Sequence, residues 1–245
     1  MNFTSNEGIV PPTVKIIGKG NFKGTIEKTF VITEANFDKV KITVSDKEYQ
    51  NKKGKWKSSV TITDTNGKKL KAGKDYDKKI TYSYDGKATV KNGKKEIVRY
   101  PGETINGKDI IPAGTIVRVT VKGKGGFPGE RVVTYRIRKK NISKLKVTVK
   151  NFEYTGREIT PGPEDIKVMD GNEEIPYFMS YSNLDEYEII GYKNNVNIGT
   201  AEVTIKAFTN NVKAAENSGN YYGTKTVKFK ITPKKIKWWW NKENL

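Results

Sequence analysis

Two glycine-spaced loops hold the residue types of a phosphate cradle: Gly18-Lys19-Gly20 with Gly24, and Gly123-Lys124-Gly125 with Gly129. A dinucleotide site needs G-x-G-x-x-G between a strand and a helix, so that helix amides face the pyrophosphate. Here the spacing is G-x-G-x-x-x-G and the following segment alternates like a strand, so hairpin turns are expected. The acid pairs Asp64 with Asp75 and Glu173 with Glu174 have the chemistry of a glycosidase, which holds two carboxylates roughly 5–9.5 Å apart in a cleft. Nothing in the sequence brings either pair together, and their Lys-rich turns point to solvated charges. Asp170-Gly171-Asn172 lacks the spaced acidic ligands of a calcium loop and reads as a turn.

Composition removes most other chemistry. The 245 residues include no Cys and no His. That excludes disulfides, thiolate or imidazole metal sites, Ser–His–Asp and Cys–His nucleophiles, and an imidazole proton shuttle. Catalysis by carboxylates, Lys or Tyr survives, but no catalytic residue, metal or cofactor is expected. Lys and Arg number 46 against 27 Asp and Glu, a formal charge of +19. Arg occurs only at Arg99, Arg118, Arg131, Arg136, Arg138 and Arg157, leaving 40 Lys. A diffuse lysine coat reads first as solvated surface and second as affinity for an anionic polymer. Nucleic-acid readers favour the planar Arg fork with stacking aromatics interleaved; that pattern is absent, so no specific nucleic acid is expected. No apolar run approaches the roughly 18 residues of a membrane span, and residues 1–30 lack a signal-peptide pattern.

The aromatic residues fall into two groups. Tyr82, Tyr84, Tyr135 and Phe229 sit at inward positions of alternating segments. Trp238, Trp239 and Trp240, with Tyr221 and Tyr222 at a loop tip, do not. Three consecutive Trp cannot all face one side of a strand. These five residues are the candidate ligand-binding positions, by contact with an adjoining module or subunit or by stacking on a sugar. For the Trp run, a core strand exposed by truncation is the third reading.

The elements that would carry these residues recur. Thr13–Thr33, Thr115–Arg138 and Thr200–Thr232 each give an alternating strand, a glycine turn with one aromatic (Phe22, Phe127 or Tyr221) and a second strand. Gly24 and Gly129 are 105 residues apart, and Gly129 and Gly223 are 94 apart, the length of an immunoglobulin-like sandwich. A front half appears twice, as Val40–Tyr49 with Leu145–Tyr154, followed by strand–turn–strand segments at Val60–Leu70 and Ile166–Ile175. Lys87–Tyr100 is an extra hairpin, its turn expected at Asn92-Gly93. Ala207–Ser218 is an insertion with one helical turn expected at Ala214–Glu216. The hydrophobic fraction of 35% suits several thin modules better than one large core.

The expected fold class is therefore all-β: tandem immunoglobulin-like β-sandwich modules, elongated. Residues 1–35 form the C-terminal half of a module, 36–140 a module with an inserted hairpin, 141–233 a further module, and 234–245 the start of the next. The chain reads as cut from a longer array. Half a sandwich leaves an apolar face and open edges, which strands from elsewhere would complete.

The run VKNFEYTG…VMDGNEEI…GNYYGTKTVKFKIT within Val149–Thr232 resembles the tandem Ig-like repeats, often labelled MBG or YDG type, of clostridial and related Firmicutes surface proteins. The second module matches more loosely. The resemblance implies secreted, non-enzymatic spacer or adhesive modules at the cell surface or wall of a Gram-positive bacterium. Their expected partners are other modules, neighbouring subunits, or cell-wall or host polysaccharide.

Overall fold

The computed structural model describes residues 13–29, 36–93, 95–177, 187–208 and 219–235. These residues are mostly β-structure, with three single-turn 3-10 helices at Phe37–Lys39, Ile142–Lys144 and Pro163–Asp165. β1 (Thr13–Ile17) and β2 (Thr25–Thr29) form an antiparallel hairpin with Ile16 opposite Ile26. β3 (Lys41–Val44), β4 (Lys47–Glu48), β5 (Val60–Thr63) and β6 (Thr81–Tyr84) follow, then β7 (Ala88–Asn92), β8 (Lys95–Arg99), β9 (Ile116–Lys122) and β10 (Glu130–Arg138). The rest of the chain gives β11 (Lys140–Asn141), β12 (Lys146–Val149), β13 (Phe152–Glu153), β14 (Ile166–Asp170) and β15 (Glu173–Glu174). It ends with β16 (Tyr187–Lys193), β17 (Gly199–Ala207), β18 (Tyr221–Tyr222) and β19 (Thr224–Thr232).

Two four-stranded sheets share one plan, β4-β10-β9-β6 and β13-β19-β17-β16. In each, a two-residue strand lies parallel to the end of the last long strand: Lys47 and Glu48 beside Ile137 and Arg138, Phe152 and Glu153 beside Ile231 and Thr232. Side chains alternate across a strand, and burial follows that period. Val117, Val119 and Val121 are buried on β9 and Ala201, Val203, Ile205 and Ala207 on β17, while Arg118, Lys122 and Lys206 face outward. β12, β14 and β15 make a three-stranded sheet; β3 with β5 and β7 with β8 are separate pairs.

The described residues group into two compact units. The first takes those of Met1–Lys41, Ile62–Lys79 and Val121–Arg131; the second takes Ile42–Thr61, Ile80–Thr120 and Val132–Leu245. Phe37, Val40, Ile62 and Val121 are buried in the first. Gly123 is required there by space, since a Cβ would lie 1.8 Å from the Phe127 carbonyl oxygen and 2.9 Å from the Phe37 ring. The second unit buries Tyr84, Val117, Val119, Tyr135, Ile137, Ile142, Val203, Ile205, Phe229 and Ile231 among others.

The glycine loops are hairpin turns. Gly18 N–H donates to Gly24 O at 2.8 Å, Gly123 to Gly129 at 2.8 Å, and Ala207 to Gly223 at 2.9 Å. Gly24, Gly129 and Gly223 have φ of +114°, +116° and +85°, the left-handed region that glycine enters without a Cβ clash.

The inserted hairpin departs from expectation by one residue. Asn92 belongs to β7 and pairs with Lys95, so Gly93, not Asn92, begins the turn. Asn92 is held in the strand because its side-chain amide donates to Asp109 Oδ1 at 3.0 Å. Likewise Asp170 ends β14 opposite Glu173, leaving Gly171 and Asn172 as the turn.

Candidate functional site

The three Trp at 238–240 and the helical turn expected at Ala214–Glu216 lie outside the described residues. Tyr221 and Tyr222 form β18, parallel to Lys140 and Asn141 of β11. Alternation separates them: Tyr221 is buried, and Tyr222 is 47% exposed. Tyr221 donates its hydroxyl to Asp170 Oδ2 at 3.0 Å and sets its ring edge-on to Tyr49, centroids 5.5 Å apart. Its place is interior packing, and only Tyr222 presents a ring to solvent.

Tyr221 is the hub of a buried polar junction within the second unit. Lys140 Nζ lies 2.5 Å from Asp170 Oδ1, with both side chains largely removed from water. A lone carboxylate there would be costly, but a paired and hydrogen-bonded one is tolerated. Asn51 N–H also points at Asp170 Oδ2, at 3.5 Å. Beside it, Ala113 N–H donates to Asn220 Oδ1 at 2.9 Å. Lys144 pairs with Glu48 at 2.6 Å in solvent, a contact that raises the lysine pKa. The junction thus ties residues 48–51 and Ala113 to residues 140–144, 170 and 220–221.

A second buried carboxylate, Asp109, fixes the inserted hairpin. It is fully buried and accepts from the Tyr84 hydroxyl at 3.2 Å, Asn92 Nδ2 at 3.0 Å and Arg99 Nη2 at 3.4 Å. Burial first, and then the Asp109 charge, push the Tyr84 hydroxyl well above its usual range. With all these partners protein-supplied, Asp109 is a structural clamp.

The acid pairs close their own loops. Asp64 Oδ1 accepts from the N–H groups of Asn66 and Lys68, both at 2.9 Å, and Asp75 Oδ2 from Lys71 N–H at 2.7 Å. Glu173 and Glu174 are exposed neighbours on β15. No group of three or more His, Cys, Asp or Glu that could hold a metal occurs among the described residues. No helix among them is long and apolar enough to cross a membrane.

The sequence does not single out Asp109, and it marks Asp170 only as a turn residue. Lys140 is one of 40 lysines and Asp170 one turn residue among several; only the return of residue 221 to residue 140 joins them. The unusual exposed feature is the β1–β2 hairpin, where Val14, Ile16, Ile17 and Ile26 are 49–67% exposed. Phe22, at its turn, is 78% exposed.

No known protein-family model matches the chain, and no curated protein matches it either.

Proposed function

We propose that the chain is a non-enzymatic structural or adhesive segment of a repeat-containing surface protein. Its modules are immunoglobulin-like sandwiches that follow one another through stiffened joints, outside a Gram-positive cell. The observation that carries this reading is the recurrence of one set of contacts between non-identical residues, the front-half partners 105 residues apart and the back-half partners 94 apart. Asn36 and Asn141 each cap a 3-10 turn through their side chains. Asp46 Oδ1 accepts from Arg136 N–H at 2.8 Å, and Asn151 Oδ1 from Lys230 N–H at 2.9 Å. Arg131 Nη1 donates to the carbonyls of Asp38 and Val40, and Lys225 Nζ to those of Ser143 and Leu145. The buried Lys140–Asp170 pair then lies where one module would meet the next, suiting a spacer that transmits position or load.

Spin labels at the exposed positions Lys87→Cys and Lys228→Cys test this directly, since the chain has no native Cys. A single narrow distance distribution is expected. A broad one would remove the stiff-spacer reading.

Assembly by strand complementation is part of the same reading. It is supported by the apolar β1–β2 face, whose counterpart residues on β9 are buried. Ile16→Lys with Ile26→Lys should then reduce self-association.

A second reading, a carbohydrate- or anionic-polymer-binding module, draws on exposed Tyr222 and the lysine near it, Lys144. It predicts retention on wall polysaccharide that Tyr222→Ala weakens, or polyanion binding that falls steeply with salt.

A further inference from the structure

The buried junction has two halves, and a counterpart of each lies at the surface elsewhere on the same chain, with Phe22, Val196 and Ile198 exposed and Tyr154 half-buried. One half is the turn Gly219-Asn220-Tyr221-Tyr222-Gly223, which offers Asn220 Oδ1 and the Tyr221 ring. The other half is Tyr49 and Ala113, which offer a ring and a backbone N–H. In the structure both Tyr49 and Ala113 are buried by 2% residual exposure.

The same turn pattern recurs at Gly20-Asn21-Phe22-Lys23-Gly24. Its hydrogen-bonded closure is the same, Asn21 is exposed, and Phe22 is 78% exposed. Phe22 has no hydroxyl, so it needs no counterpart of Asp170. The turn at Gly125–Gly129 has Gly126 in place of the Asn and does not complete the pattern.

The receiving half recurs 105 residues after Tyr49, at Tyr154. Tyr154 is anchored like Tyr49: its N–H donates to Thr232 O at 2.8 Å, as Tyr49 N–H does to Arg138 O at 2.7 Å. Ala113-Gly114-Thr115 corresponds to Ile198-Gly199-Thr200, and Ile111 to Val196. Where Ile111 and Ala113 are buried, Val196 is 37% and Ile198 53% exposed. An apolar patch around an anchored Tyr is what the first junction would look like with its turn removed.

We infer that the Gly18–Gly24 turn of one copy docks on the Tyr154, Val196 and Ile198 surface of a second copy. Phe22 sets its ring edge-on to Tyr154, and Asn21 Oδ1 accepts from Ile198 N–H. The occupant is a second copy because the chain itself carries both complementary halves of a joint whose geometry it already displays. The contact is heterologous, using different surfaces on the two partners. It therefore extends into head-to-tail chains unless the rotation closes a ring. This rests on the repeated-module reading above, and it concerns a surface other than the β1–β2 face.

Sedimentation of the full chain over a concentration series tests it, with circular dichroism confirming that each variant is folded. In the Ile16→Lys, Ile26→Lys background, which removes association through the β1–β2 face, Phe22→Ser and Ile198→Asp alter exposed side chains, and each should abolish the remaining rise of average mass with concentration. Mixed together, these two variants retain one intact turn and one intact receiving surface, so they should form heterodimers and nothing longer. Ile16→Lys with Ile26→Lys should leave this association in place. A wild-type chain that stays monomeric throughout overturns the inference. So does association that survives Phe22→Ser, or that is lost only with the β1–β2 face variants. A monomer that still gives a narrow Lys87–Lys228 label distance overturns the docking while leaving the stiff-module reading intact.

Discussion

Two aspartates and three tyrosines hold most of what is chemically unusual in this chain, and each is unusual through burial. Asp109 is fully buried, and its Arg99 partner is largely buried. Removing Asp109 leaves Arg99 paired only with Glu103 and takes the acceptor from the Tyr84 hydroxyl and the Asn92 amide, a cost of about 3–5 kcal/mol for a buried charge pair and its hydrogen bonds. Asp109→Ala should therefore destabilise the fold by about that amount in urea unfolding, and loss of less than about 1 kcal/mol would contradict the clamp. The tyrosines make a pH prediction. Burial raises the hydroxyl pKa of Tyr84 and Tyr135 strongly and that of Tyr187 to about 12, from an ordinary 10.0. Below pH 10 these phenols are neutral in folded and unfolded chains alike. As pH rises through and beyond that value, the unfolded chain loses protons that the folded chain keeps, so folding stability falls from pH 10 through about 12. The part of the tyrosinate absorbance that comes from these three should rise only in step with loss of β-sheet circular dichroism. Ionisation of these three with the fold intact would contradict their burial.

At the scale of elements, alternation was legible wherever one strand face is buried, as on β9, β10, β17 and β19. Turn positions were less so. Asn-Gly and Asp-Gly signal a turn, but Asn92 and Asp170 are each drawn into their strands by side-chain bonds to partners 17 and 30 residues away. Those partners are invisible to a local pattern. The junction at Tyr221 was missed for the same reason: nothing near residue 140 or 170 marks them as neighbours. The recurring glycine turn gives a clean test. Gly129 sits at φ +116°, where an L side chain is strained whatever space surrounds it, a cost of order 1–3 kcal/mol. Gly129→Ala should lower the unfolding midpoint by a corresponding amount. Gly126→Ala, at a glycine with ordinary φ and open space around its Cβ position, should not.

For the molecule as a whole, the question is whether the ion pair at the junction contributes stiffness or only stability. The net charge of +19 is carried mainly by lysine, whose ammonium is a compact, strongly hydrated charge on a flexible stem and holds geometry poorly when exposed. Lys140 differs because its ammonium is buried against Asp170 and fixed by the strand it lies on. Lys140→Met removes the charge and keeps much of the stem, leaving Asp170 with the Tyr221 hydroxyl and the Asn51 N–H as its remaining partners. The change should cost about 3–5 kcal/mol if Asp170 stays charged and buried. If instead the junction opens to hydrate Asp170, the loss in stability will be smaller and the Lys87→Cys to Lys228→Cys label distance will broaden. Lys140→Met combined with Asp170→Leu separates the two contributions, because it restores charge balance with apolar packing. A double variant that regains stability but keeps the broad distribution would show that the ion pair sets the angle of the joint. One that regains both would show that any well-packed contact suffices there.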